Sequence, residues 1–330
     1  MTHGEFSRRA VLLAATSLIA ARTTAANAQD WPSRPVKVLV GFAAGGNISN
    51  LAQLTCERLS DVFAHRFIVE NRPGATGTLA GETAAKAEPD GYTFFWGGTG
   101  TISIYPAMAS VPYELFKDIV PVAMIATSPQ VLVVNPEVPV KTADEFVTYV
   151  KARQNQMTYA GGGGPGSVSN LLMALFLTRN GMQMQGVSYR GTGPALADLI
   201  GGHVQTMFAP LPEAIPQAQS GNIRMLAIAD EKRSKQAPDV PTLAEAGFSN
   251  MRGVSWNGMF APAKTAKSII DRIGAEFIKA DADPNFMAQL DKYGANPVAR
   301  DADQFAKFLQ DDIAFWKEAV SIAGLKQSVN

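Results

Sequence analysis

Pro35-Val36-Lys37-Val38-Leu39-Val40-Gly41-Phe42-Ala43-Ala44-Gly45-Gly46 decides the fold. Its β-branched run predicts a strand, and the small residues that follow predict a tight turn. A helical pattern comes next, with Leu51, Leu54, Cys56, Leu59 and Val62 on or near one face. Strand, glycine turn and helix in that order form the unit of an open α/β sheet.

Working outward, the unit recurs. Phe67-Ile68-Val69-Glu70 predicts a strand stopped by Asn71-Arg72-Pro73-Gly74, and residues 78–87 predict a helix. Tyr92 to Trp96 predicts a third strand, ended by a turn over Gly97-Gly98-Thr99-Gly100. Strands alternating with helices over short connections predict a parallel sheet. Residues 120–135 hold two extended stretches around Thr127-Ser128-Pro129. A second α/β series then begins. Met157 to Ala160 runs into Gly161-Gly162-Gly163-Gly164-Pro165-Gly166 and a helix from about Ser167 to Asn180; strands are expected at 187–189, 204–208 and 223–228. Val254 to Ala261 is again extended, and the tail reads as helix only, with apolar spacing over 269–278 and 305–320. The expected organisation is therefore two lobes, residues 29–128 with 256–330 and residues 129–255, with crossings near Ser128-Pro129 and Ser255.

The N-terminus carries a targeting pattern. Ser7-Arg8-Arg9 precedes an apolar stretch from Ala10 to Ala21, too short to span a bilayer, and Ala26-Asn27-Ala28 is a small-x-small cleavage site. Residues 1–28 are expected to be a twin-arginine-type signal peptide, or one for the general secretory route, cleaved after Ala28 to leave a periplasmic protein. Charge is balanced at 29 Lys+Arg against 29 Asp+Glu, so no global field favours nucleic acid or an anionic membrane. Cys56 is the only cysteine, which excludes an internal disulfide, and it reads as a small buried residue.

The three glycine-rich turns, Gly45-Gly46, Gly97 to Gly100 and Gly161 to Gly166, expose backbone N–H groups at strand ends, where α/β sheets bind ligands. With a helix starting after the turn, the product is an anion site that needs no basic side chain. The run Gly161-x-Gly163-x-x-Gly166 formally matches a dinucleotide fingerprint. Pro165 interrupts it, however, and no acid lies between Glu145 and Asp198 to hold a ribose. His65 and His203 read as solvated turn residues without metal-ligand spacing, and Gly166-Ser167-Val168-Ser169 lacks the second glycine of a nucleophile elbow. Asp198, Glu213, Asp239 and Glu245 read as caps and solvated faces. No catalytic residue, metal or cofactor is expected; the chemistry is recognition.

Several segments then line up in order with a known family: Val69-Glu70-Asn71-Arg72-Pro73-Gly74-Ala75, Ala87-Glu88-Pro89-Asp90-Gly91-Tyr92-Thr93, Val131-Leu132-Val133-Val134-Asn135-Pro136, Tyr189-Arg190-Gly191-Thr192-Gly193-Pro194-Ala195, Asp239-Val240-Pro241-Thr242-Leu243-Ala244-Glu245-Ala246-Gly247 and Ser255-Trp256-Asn257-Gly258. Over essentially the whole mature chain, this one resembles the Bug-type (TctC-like) extracytoplasmic solute receptors of tripartite tricarboxylate transporters. The resemblance implies an α/β, two-lobed type II periplasmic-binding-protein fold that closes on a ligand like a flytrap. It implies a monomer that passes a small carboxylate to membrane permease subunits; a periplasmic sensor with a membrane signalling partner is the alternative.

In such receptors backbone groups of two loops grip a carboxylate, often with ordered waters. Here the first loop places Phe42, Ala44, Gly45, Gly46, Asn47, Ile48 and Ser49. The first loop of the second lobe places Gly162, Gly163, Gly166, Ser167, Ser169 and Asn170. Thr99 and Thr101, with Phe208 and Ala209, would line the other end, and Arg190 is a side-chain candidate. This chain departs from the family pattern at Ala43-Ala44, at Ser49 and Ala209 where aspartates are common, and at Asn170 where histidine is common. Loss of those acids removes partners for a ligand ammonium, so a mono- or dicarboxylate is expected rather than an amino acid, with aromatic acids among the candidates.

Overall fold

The computed structural model describes residues 31–45, 47–162, 166–189 and 191–325. The expected signal peptide, Gly46, Gly163 and Arg190 lie outside the described residues.

Strand β1 (Val36–Val40) lies between β2 (Phe67–Asn71) and β3 (Thr93–Gly98) and is parallel to both. Its side chains alternate across the sheet, as a period of two requires. Val36, Val38 and Val40 enter one core with Leu51, Phe94 and Trp96. Leu39 points the other way, to Phe95, Trp256 and Phe260. Helix α1 (Asn47–Phe63) covers the first of these cores through Leu51, Leu54, Cys56 and Leu59. Val62 instead stays 43% exposed, while its neighbour Phe63 packs against that core. Cys56 is fully buried and free, and desolvation pushes its thiol far above the ordinary range. Helix α2 (Thr78–Ala85) follows β2, and α3 (Tyr105–Met108) follows β3 through a π-type turn over Gly100–Ile104.

The two extended stretches expected near Ser128 are one strand, β4 (Ile119–Val134). Register shifts near Pro121 and Met124 let it bend without ending. Its first part pairs with β9 (Val254–Pro262), and its last part pairs with β7 (Thr206–Pro210) and β8 (Arg224–Ile228). Beyond β7, strand β5 (Thr158–Gly162) is parallel to both β7 and β6 (Gln185–Tyr189). The path is β2-β1-β3-β9-β4-β7-β5-β6. The sheet is therefore mixed rather than parallel: β9 returns antiparallel between β3 and β4.

Each end of this curled sheet has helices on both faces, giving a two-lobed α/β molecule. In the second lobe Leu132, Val134 and Phe208 meet α4 (Ala143–Lys151) and α5 (Val168–Arg179) through Phe146 and Phe176. Val131, Val133 and Met207 face the opposite way, towards α6 (Thr192–Ile200) and α7 (Leu211–Gln219). Where the chain passes between lobes, Ser128 pairs with Ser255 and Pro129 with Val254.

The tail is not helix only. Helices α8 (Lys267–Ala280) and α9 (Pro284–Lys292) lead into β10 (Asn296–Arg300), antiparallel to β4, before α10 (Ala302–Ile322). Every residue of β10 is only partly buried and Pro297 lies within it, so neither alternation nor β-propensity marked it. Helix α10 starts with a capping box at Asp301 and Gln304. Its first half sets Phe305 and Leu309 against Trp256, whereas Trp316, Ala319 and Val320 pack with Phe176 of the second lobe. No helix among the described residues is long and apolar enough to cross a membrane.

Candidate functional site

A cavity of about 250 Å³ lies where the lobes face each other. The first lobe contributes Phe42, Asn47, Ile48, Thr99, Gly100 and Thr101; the crossing strands contribute Ser128, Gln130, Ser255, Trp256 and Asn257. Val168, Pro210, Pro212 and Glu213 close it from the second lobe, with Tyr293, Gly294 and Ala295 at the remaining edge.

The first loop is shaped by Asn71, whose Nδ2 donates to the Phe42 carbonyl at 2.8 Å and to Ser49 Oγ at 2.9 Å. Ser49 is accordingly 5% exposed, with its hydroxyl turned to β2 rather than to the cavity. Ala44 and Gly45 are exposed at the turn and stand outside the lining, with Gly45 at φ +86°. Asn47 and Ile48, the first residues of α1, do reach the cavity.

At the third strand, Gly97 and Gly98 are part of β3 instead of a turn. A Cβ at Gly98 would sit 2.8 Å from the Trp256 carbonyl, and one at Gly97 would meet the Phe260 ring at 2.8 Å. Close approach of β9 is therefore what these glycines permit. Thr99 then accepts a 2.8 Å hydrogen bond from the Trp256 backbone N–H, and Thr101 Oγ1 donates to the Thr76 carbonyl at 2.9 Å.

In the second lobe Ser167 caps α5, accepting from the Asn170 N–H at 3.3 Å. Ser169 Oγ donates to the Phe208 carbonyl at 2.5 Å, and the Asn170 side chain lies against Gly161. Both residues brace α5 against the sheet. Gly162 is buried against Thr192, and Gly166 abuts Met108 of the first lobe. Phe208 and Ala209 are both 0% exposed, one in each core of the second lobe. Strand β7 has helices on both faces, so neither side chain points into the cavity.

The described lining holds no Lys, Arg or His. Its positive character comes from backbone: α1 and α5 both present N-terminal ends, where the helix dipole is positive and first-turn N–H groups, apart from the one Ser167 caps, have no partner within the helix. Its one acid is Glu213, in the first turn of α7. The side chain retains solvent contact at the cavity edge, yet desolvation raises its carboxyl above the ordinary glutamate range. Glu213 is exposed, as its reading as a solvated face requires, and it borders the cavity as well. Ser128, Gln130, Ser255 and Asn257 were missed because the expected crossings were read only as linkers; strands that pass between lobes also floor the gap between them. Among the described residues no group of three or more His, Cys, Asp or Glu could hold a metal.

The family model for the tripartite tricarboxylate transporter family receptor matches residues 51–325. The chain is 32% identical over 305 residues to protein BugT of Bordetella pertussis, covering 91% of this chain and 92% of that one. The structure of R. palustris Rpa4515 with adipate is 31% identical with a TM-score of 0.73 over 89% of this chain and 99% of that one. MatC from Rhodopseudomonas palustris, with bound malate, is 32% identical with a TM-score of 0.69 over 88% and 100%.

Proposed function

We propose, since this chain belongs to the tripartite tricarboxylate transporter receptor family and such receptors are not enzymes, that it captures a small organic carboxylate between its lobes. The observation that carries this reading is a cavity faced by two helix N-termini with no basic side chain in its described lining. Such an end supplies several N–H donors to one carboxylate. Charge-assisted bonds of about 1.5–3 kcal/mol each bring a few contacts to the roughly −8 kcal/mol of micromolar binding. Relatives solved with adipate and malate support a carboxylate as the ligand class.

On this reading Asn47, Ile48 and Val168 hold the carboxylate, and Thr99 and Thr101 shape the wall; Gly46 and Gly163 complete the two loops, and Arg190 remains the side-chain candidate. The lobes divide as residues 29–128 with 256–330 and residues 129–255. The mature chain, freed of residues 1–28, works as a periplasmic monomer and hands its ligand to membrane permease subunits. Mass spectrometry of small molecules co-purifying with protein secreted from its own leader tests this. The expected result is one carboxylate per chain and an N-terminus at Gln29. A chain that neither carries a carboxylate nor binds any in titration calorimetry would sink it.

A further inference from the structure

The sheet face covered by α1 changes character at the cavity. Under the helix it is apolar: Trp96 of β3, Met259 of β9 and Ala126 of β4 share a core with Leu51 and Leu54. Continued along each strand by steps of two, which return side chains to one face, it becomes polar. There β3 carries Gly98, β9 carries Asn257 and Ser255, and β4 carries Ser128; all four line the cavity. The register makes them one patch, since Asn257 pairs with Gly98 and Ser255 with Ser128. Directly paired positions hold their Cβ atoms about 4.5–5.5 Å apart, close enough for neighbouring side chains to reach one ligand group. Trp256, between the two polar residues of β9, turns its indole the other way, to Asp312. Gly98 has no side chain to fill the space beside Asn257; a Cβ there would lie 3.5 Å from Asn257 Oδ1. Ser128 and Ser255 are half-buried, and Asn257 is 9% exposed. Among the described residues none of these three side chains has a hydrogen-bond partner, and none of their polar atoms is sealed from solvent.

We propose that Ser128, Ser255 and Asn257 form a specificity subsite that reads an uncharged polar group on the ligand, a hydroxyl or a carboxamide, while the helix N-termini hold its carboxylate. This rests on the carboxylate reading of the cleft and narrows it to monocarboxylates with a neutral polar end. Two hydroxyls and an amide offer donors and acceptors together, which suits a group that itself both donates and accepts. Charge argues against a second ionised carboxylate. The described lining holds no Lys, Arg or His and has Glu213 as its one acid, so a dianion would leave water with no cation to offset the cost. An apolar end would instead strip water from three polar side chains and give them nothing in return.

Titration calorimetry on the mature chain tests it with two series matched in length: butyrate, its ω-hydroxy acid, succinamate and succinate; pentanoate, its ω-hydroxy acid, glutaramate and glutarate. In any series that binds, the hydroxyl- or amide-ended acid should bind about tenfold or more tightly than both the methyl-ended and the carboxylate-ended one. Joint Ser128→Ala and Ser255→Ala substitution should shrink the gap to the methyl-ended acid to about threefold or less. Thermal melts confirm that the variant folds, and the two single substitutions, each removing one hydroxyl, keep the test open if the double variant melts early. The readout is the gap within a series, because serines that merely braced the strands would weaken every acid alike. Such a uniform loss overturns the subsite alone. So does a methyl- or carboxylate-ended acid that binds as tightly as its neutral polar partners, or a gap that survives both substitutions. If no acid in either series binds, the carboxylate reading itself fails and the subsite falls with it.

Discussion

Trp256 donates its indole N–H to Asp312 Oδ2 at 2.7 Å, joining the strand that floors the cleft to the last helix. Ser103 donates to the same oxygen at 2.6 Å and the Trp316 indole to Oδ1 at 3.2 Å, so one 2%-exposed carboxylate gathers three elements behind the cavity wall. Asp312→Ala strands these donors and should lower stability by about 3 kcal/mol, read as the urea midpoint.

The same carboxylate makes a pH prediction. Burial raises the Asp312 pKa above the ordinary aspartate range, partly offset by its hydrogen-bond donors. The folded chain then keeps this proton where the unfolded chain has lost it. Its contribution is full below the unfolded value of about 3.9 and is lost as pH rises through the folded value. The stability of wild type minus that of Asp312→Asn should therefore fall as pH rises from 4. A difference that stays flat would show that burial does not perturb this group.

Gly294 is the second test case. Its φ is +67°, and a Cβ there would lie 2.5 Å from Pro212 Cβ on the opposite lip of the cavity. Asn tolerates that backbone region, so Gly294→Asn isolates the clash from the strain. Carboxylate affinity should drop about tenfold with stability held within roughly 1 kcal/mol. Adding Pro212→Ala should restore most of the loss; no recovery would mean the lips do not meet in the bound state.

Asn71 sits in a segment legible as a turn signal, but its work is to tether the first loop through Phe42 and Ser49. Asn71→Ala should cost about 1–2 kcal/mol of stability and weaken ligand binding, since the N-terminus of α1 loses its brace. Unchanged affinity in the variant would detach that loop from recognition.

Exhaustive chelation should leave binding unchanged, because the proposed carboxylate site is built from helix-N-terminal amides and, among the described residues, no cluster of metal-ligating side chains is present. Loss of binding that a divalent ion restores would contradict this.

The first unit of the fold was legible because local chemistry and tertiary role agree there: Val36, Val38 and Val40 are β-branched and buried, Leu39 is buried on the opposite face, and a helix with a clean apolar stripe follows. Gly97 and Gly98 misled, since glycine marks a close approach to Trp256 and Phe260 as readily as a turn. Helix α7 went unread because Pro212 and Pro216 lie in it; Pro212 sits in its first turn, where no N–H is needed. Within the site, the helix starts at Asn47 and Val168 could be read from strand-turn-helix order. Gln130, Glu213 and Gly294 could not: their place in the lining depends on how the two lobes meet, which no local pattern encodes.

Three passages of chain link the two cores: β4, the return into β9, and α10, whose halves belong to different lobes. A joint with three struts has few orientations to sample. Its lobes lose little rotational entropy when a ligand draws them together, so more of each contact survives as affinity. The same stiffness narrows the range of ligand lengths the gap can span, making the strap of α10 a ruler as well as a hinge-stay.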